Sequence, residues 1–198
     1  MKCYGKTFAG VVLLLAATAA FGQNSTAPQA AASSKPDQAM QGPYTTFNKI
    51  AYTRIKANLI ASAEKMPEES YSFKPVDTVR SYGQIVGHVA DAQYMFCSVA
   101  LGEPNPALKI EQTKTTKADL VTALKSAVAY CDKAYDSMDD ASGAQMVKMF
   151  GMDMPKAGAL NINNIHDMEH YGNLVTYMRM KNIIPPTSEQ PPAAQSKK

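Results

Sequence analysis

Apolar side chains recur every three or four residues along four stretches of the chain, the spacing of one face of an α-helix. The first stretch runs from about Tyr44 to Met66. The second begins after Ser81, a residue type that often caps a helix, and ends at Gly102. The third begins after Thr116, and the fourth extends from about Pro155 to Lys181. The pattern therefore predicts four long helices.

No stretch shows the alternation or the β-branched density that is typical of a strand, so the predicted fold class is all-α, most simply a four-helix bundle. The connection between the second and third helices, from Gly102 to Thr116, has 15 residues. At about 3.3 Å per extended residue it can cross the roughly 30 Å length of a 20-residue helix. Its length allows a crossover between parallel helices or a plain antiparallel hairpin.

The two ends of the chain differ in composition from its helical body. Residues 1–22 combine two lysines, an apolar run and a small-residue end, which predicts a secretory signal peptide. Residues 23–43 and 185–198 are rich in Ala, Pro, Gln and Ser, so we expect a disordered linker and a disordered tail. Residues 44–184 are numerous enough to form one domain with its own core.

The charge balance and the predicted export narrow the range of functions. Removing the two lysines of the signal peptide from the 20 basic residues leaves 18 against 17 acidic ones. This nearly neutral balance lacks the excess of positive charge that is typical of nucleic-acid-binding proteins. No later segment has the roughly 20 continuous apolar residues of a membrane span. We expect an exported protein, periplasmic or secreted, that neither binds nucleic acid nor spans a membrane.

The three histidines carry the candidate chemistry. His166 and His170 are one turn apart on the fourth helix, and His88 lies beside the apolar stripe of the second. Residues four apart have Cβ atoms about 5–6 Å from each other, so two imidazoles can converge on one ion, with a third arriving from a facing helix. Three protein ligands leave a fourth position open, as in catalytic zinc sites. The simpler alternative is an amphipathic helix whose polar stripe faces solvent.

Imidazole ligands suit several divalent ions, of which we favour zinc or nickel, with iron, manganese or copper also compatible. At the open position the ion would lower the pKa of a water or a substrate thiol, which predicts a metal-dependent hydrolase or thiol-type transferase acting on a small molecule that the sequence does not identify. Asn163, Glu169, Asn173 and Tyr177 lie on or near the same arc of the fourth helix. They are candidates for orienting substrate or bracing an imidazole; the alternative is that they only satisfy polar groups inside the bundle.

Two segments resemble the DinB/YfiT-like family of metal-binding four-helix bundles. They are YSFKPVDTVRSYGQIVGHVADAQYMF, around His88, and HDMEHYGNLVTYMRMKNIIPP, which begins at His166. The resemblance implies an up-down-down-up bundle in which a crossover makes the second and third helices parallel. It also implies a divalent ion at His88, His166 and His170. Family members with known activity include metal-dependent thiol transferases and isomerases that use low-molecular-weight thiols.

Two other functions stay open at this point. The ion, or the apolar back of the fourth helix, could support a non-catalytic module or a homodimer. The tract MVKMFGMDM contains Met146, Met149, Met152 and Met154, which resemble a soft copper-binding tract in an exported protein. The alternative for this tract is an adaptable apolar segment that packs over the end of the bundle.

Cys97 and Cys131 lie at comparable distances from the C-terminal ends of the second and third helices. In a parallel pair of helices the two would sit at similar heights. In an antiparallel hairpin their offset would be of order 15 Å, too far for the Cα separation of under about 7 Å that a disulfide needs. A bridge is thus allowed by the crossover and excluded by the hairpin; a buried free thiol at Cys131 is the alternative.

Overall fold

The computed structural model describes residues 42–189, and four long helices account for most of these residues. The elements are α1 (Pro43–Lys65), α2 (Tyr82–Leu101), α3 (Ile110–Thr113), α4 (Lys117–Asp136), α5 (Asp140–Gly143), β1 (Met146–Met149), β2 (Met152–Pro155) and α6 (Lys156–Met180). The predicted signal peptide, nearly all of the predicted linker and residues 190–198 of the predicted tail lie outside the described residues. Ordered contacts extend beyond residue 184, because Thr187 lies 2.8 Å from the Tyr171 hydroxyl.

The long helices begin and end where the sequence predicts, within one or two residues. Ser81 and Gln84 form a capping box at the start of α2: the Ser81 Oγ accepts from the Gln84 N–H, and the Gln84 Oε1 accepts from the Ser81 N–H. Gly102 ends the same helix in the left-handed conformation, with φ of 75°. At the start of α4, the Thr116 Oγ1 accepts from the Asp119 N–H at 3.1 Å.

Helices α2 and α4 run parallel, joined by the long connection. Near their N-terminal ends, Gly83 packs against Leu120, whose side chain would lie 3.1 Å from a Cβ placed on the glycine. In their C-terminal halves, Cys97 and Cys131 are bonded, with Cα atoms 5.2 Å apart. Because both ends match in this way, the connection is a crossover and not a plain antiparallel hairpin.

Helices α1 and α6 run in the direction opposite to that of α2 and α4. Lys49, near the start of α1, forms an ion pair with Asp136 at the end of α4 at 2.9 Å, so α1 is antiparallel to α4. Asn48 donates to the Ala157 carbonyl at the start of α6 at 3.2 Å, so α1 and α6 have their N-termini at the same end. The four long helices therefore run up, down, down and up, around a shared apolar core.

The prediction that no segment forms a strand is wrong for one short hairpin. Strands β1 and β2 pair antiparallel, with Met149 opposite Met152. Phe150 and Gly151 turn the chain with φ of 52° and 78°, the two left-handed residues of a tight hairpin turn. Each strand has four residues and the hairpin contains one β-branched side chain, so the sequence carries no strand signal that its pattern could reveal.

None of the helices within residues 42–189 has the combination of length and apolar character that crossing a membrane requires.

We predict that the Cys97–Cys131 bridge forms under oxidising conditions and stabilises the protein. The cross-link spans 34 residues, for which the chain-entropy relation gives about 3–4 kcal/mol. Guanidinium unfolding with and without reductant measures the effect, and the double variant Cys97→Ala and Cys131→Ala should be insensitive to reductant. Wild-type protein that carries two free thiols after oxidative purification would contradict the prediction.

Two glycines should respond in opposite directions to alanine. A Cβ on Gly87 would lie 2.7 Å from the Glu111 Cα, so Gly87→Ala should lower the free energy of unfolding by about 1–3 kcal/mol. Gly172 has nothing within 4 Å of a Cβ, so Gly172→Ala should raise it by about 0.5–1 kcal/mol. Chemical unfolding of both variants checks the pair, and equal effects would show that the contact between α2 and α3 is not tight.

Candidate metal centre

Three imidazoles meet where α2 packs antiparallel against α6. The Nε2 atom of His166 lies 3.1 Å from the Nε2 of His88 and 3.1 Å from the Nε2 of His170. The three ligand atoms all lie within 4.8 Å of one another. His166 and His170 therefore face His88 across the contact between the two helices, whereas Glu169 and Asn173 of the same polar arc are exposed.

The two nitrogen spacings around His166 fit one small cation. A tetrahedral ion at roughly 2.0–2.1 Å from each of two imidazole nitrogens separates those nitrogens by about 3.3 Å. The two Nε2 contacts at 3.1 Å are close to this value. Hydrogen bonds alone pair these atoms less completely than an ion would. The His166 Nε2 has two nitrogen neighbours, but it can donate or accept only one hydrogen bond.

The surroundings of His166 and His170 favour the neutral form that binds metal. Burial lowers the pKa of His166 to about 3, and positive charge on His170 and His88 would lower it further. Burial also lowers the pKa of His170, with positive charge on His88 as the next cause. The lone pairs of these two rings are therefore not protonated at neutral pH.

The outer nitrogens of the three rings have different environments. The His88 Nδ1 lies 3.0 Å from the Glu111 Oε2. The His170 Nδ1 lies 3.3 Å from the Asn173 Nδ2. Nδ1 of His166 is buried without a hydrogen-bond partner in the described part of the chain, so the polar contacts of this ring are all made through its Nε2.

One side of the centre is apolar. The ring of Phe96 packs edge-on against His166, with centroids 5.4 Å apart, and against Phe150 of the hairpin turn, with centroids 6.2 Å apart. Phe96 itself is buried with Met149 and Ala159 in a small cluster between α2, the hairpin and α6. This packing shields His166 from water on the hairpin side.

The other side opens into a cleft of about 640 Å³, within the range of small-molecule sites. We call it the histidine cleft. His170 is the metal-centre residue that lines it. Its other lining residues include Lys74, Arg80, Gln84, Glu111, Glu169, Asn173 and Tyr177. A ligand that fills this cleft would therefore meet mainly polar side chains beside an imidazole.

A buried polar cluster lies directly behind the centre. Asp167 and Gln93 have no exposed surface, and the Gln93 Nε2 donates to both carboxylate oxygens of Asp167, at 2.8 and 2.7 Å. Burial raises the pKa of Asp167 to about 8, against the opposing effect of the Gln93 hydrogen bonds. The pair links α2 to α6 one turn from the histidines.

The four candidate neighbours have different positions. Asn173 reaches the His170 ring, as described above. Asn163 instead donates to the Tyr135 hydroxyl at 3.2 Å inside the buried cluster. The Tyr177 hydroxyl donates to the Arg80 carbonyl at 2.9 Å, and Glu169 lines the histidine cleft. Among the described residues, neither Asn163 nor Glu169 nor Tyr177 makes a hydrogen bond to an imidazole, so bracing of an imidazole by these three is not seen.

Three residues near the centre are absent from the sequence prediction. Gln93 could have been found, because it is a polar residue between the apolar positions of the second helix. Asp167 directly follows His166 but has no periodic partner that would indicate its burial. Glu111 lies in α3, within the connection between α2 and α4, where no sequence pattern predicts which residues it contacts.

The methionine tract divides between two faces of the hairpin. Met149 and Met154 pack against α2 and α6 beside Phe96. Met152 is paired with Met149, whereas Met146 is paired with Pro155 and so projects from the opposite face. The four sulfurs are thus not on one face, and packing accounts for Met149 and Met154.

Comparison with known proteins supports the same fold. A DinB-like protein from Bacillus cereus has a TM-score of 0.63 at 16% identity, over 70% of this chain and 93% of that one. The DinB-like protein YjoA from Bacillus subtilis has a TM-score of 0.57 at 20% identity, over 78% of this chain and 99% of that one. In sequence, the uncharacterised YjoA is 26% identical over 123 residues, 59% of this chain and 77% of the relative.

The family model of the DinB superfamily matches residues 51–174. This range covers more than half of the chain and includes all three histidines. The chain therefore belongs to the DinB superfamily.

Proposed function

We propose that the protein binds one divalent metal ion, zinc or nickel in preference to others, through the Nε2 atoms of His88, His166 and His170. The observation that supports this most directly is the pair of 3.1 Å contacts that His166 makes with the other two rings. Three imidazole nitrogens that face one small volume form a site that a divalent cation would complete when each presents its lone pair.

We further propose that the ion serves a hydrolase or thiol-type transferase reaction on a small molecule bound in the histidine cleft. When bound, the ion would supply a Lewis acid and an open coordination position. Phe96 packs against His166 on the hairpin side, whereas His170 lines the cleft, which gives a small molecule a route to the centre. There Arg80 and Tyr177 form part of the wall, and Asn173 holds the ring of His170 from its outer nitrogen.

Export after cleavage of residues 1–22 is part of the proposal. The disulfide between Cys97 and Cys131 supports it, because such bonds form and persist in oxidising compartments such as the periplasm or the extracellular space.

We predict that His166→Ala abolishes metal binding and leaves the helices intact. His166 is the ring that touches both others, so its loss removes the centre of the ligand set. Metal analysis of untagged protein should fall from near one ion per chain to near none, while the far-ultraviolet circular dichroism stays the same. In the wild type, zinc at about 100 times its dissociation constant should raise the free energy of unfolding by about 2.7 kcal/mol.

Asn161→Ala is the matched control, since Asn161 is exposed and lies on the opposite side of the same helix. This variant should bind zinc as the wild type does. Full metal occupancy in His166→Ala, or loss of occupancy in both variants, would refute the proposed ligand set.

A non-catalytic dimer is the second candidate, favoured by one surface of α6. Ile165 and Met168 are 59% and 58% exposed on the side of the helix away from the core.

We predict that a catalytic protein stays the same size when a chelator removes its metal. Size-exclusion chromatography with light scattering tests this, and a dimer that dissociates on chelation would favour the structural role of the ion.

A further inference from the structure

The crossover connection places a one-turn helix, α3, directly against α2 beside His88. Two residues of α2 make this contact possible. Gly87 leaves room for the Glu111 backbone, which a Cβ would approach to 2.7 Å at the Cα and 3.0 Å at the nitrogen. Asp91, four residues later on the same face, accepts from the Ile110 N–H at 2.8 Å and from the Glu111 N–H at 3.0 Å.

The backbone of Glu111 is therefore fixed relative to α2, and its side chain is fixed as well. One carboxylate oxygen lies 3.0 Å from the His88 Nδ1. The other accepts from the Arg80 Nε at 2.8 Å. The side chains of Glu111 and His88 are 23% and 27% exposed, so both are partly shielded from competing water.

The chemistry of this contact determines which nitrogen of His88 carries the proton. A carboxylate only accepts hydrogen bonds, so the facing Nδ1 must be the protonated nitrogen. The Nε2 of the same ring is then left with its lone pair directed at His166. A hydrogen bond of this kind fixes the tautomer of a metal-binding histidine and orients its ring.

We propose that Glu111 is a positioning residue that makes His88 a ligand. It holds the ring in the Nδ1–H form, and Arg80 holds the carboxylate in place. The metal centre thus depends on the crossover connection as well as on α2 and α6. The proposal that Glu111 strengthens metal binding depends on the proposed function, whereas its effect on the tautomer does not.

The tautomer is measured first, in metal-free protein, from the ¹⁵N chemical shifts of His88 at a pH where the ring is neutral. Wild-type protein should show the Nδ1–H form. Glu111→Ala removes the acceptor, and Glu111→Gln replaces it with an amide that can accept or donate. Both variants should lose the exclusive Nδ1–H form. An Nε2–H form in the wild type, or an unchanged Nδ1–H form in both variants, overturns the inference.

Zinc affinity is measured next, by competition with a chromophoric chelator. Loss of such a partner typically weakens metal binding by about 10–100-fold, and we expect that range for Glu111→Ala and a smaller loss for Glu111→Gln. Thermal unfolding of the metal-free variants shows whether a lower affinity merely reflects a damaged fold. Wild-type affinity in Glu111→Ala would overturn the role of Glu111 in binding.

Glu103→Gln is the matched control, because Glu103 lies in the same connection but accepts from the Tyr130 hydroxyl at 2.7 Å, away from the histidines. It should leave both the tautomer and the zinc affinity unchanged. If wild-type protein binds no zinc but the Glu111 variants still change the tautomer, the proposed function fails and the positioning role of Glu111 stands.

Discussion

Buried polar residues lie at the antiparallel contact between α2 and α6, and the rest of the bundle packs around this contact. Gln93 and Asp167 form a fully buried pair across this contact, and His88 meets His166 one turn away. A buried polar group without its partner costs several kcal/mol. Sliding one helix along the other by a single turn would break both contacts, so these pairs fix the relative position of the two helices.

Helix α2 is also held on its other sides. The bond between Cys97 and Cys131 fixes its C-terminal half to α4, and Gly87 and Asp91 hold α3 against its N-terminal half. A metal centre requires side chains placed to within about 0.5 Å. His88 belongs to a helix constrained by three neighbours, which is how one imidazole from α2 can meet two from α6 with little freedom of movement.

The two sides of the histidine centre differ in polarity. The Phe96 side is apolar, and the histidine cleft, which His170 lines, is polar and open. Electrostatic interactions are stronger where water is excluded, while a substrate must still be able to enter and leave. Under the proposed function, the apolar side and the polar cleft would provide these two conditions at one site.

The sequence by itself determined the four long helices, the caps at Ser81 and Thr116 and the pairing of His166 with His170, because each depends on spacing within one element. Tertiary structure decided that Asn163 turns towards Tyr135, that Glu111 reaches His88 from a connection with no periodic pattern, and that a methionine-rich segment forms a hairpin. These outcomes depend on which surfaces meet when the helices pack. Local periodicity does not contain that information, since contacts between elements are set by the shape and polarity of both partners.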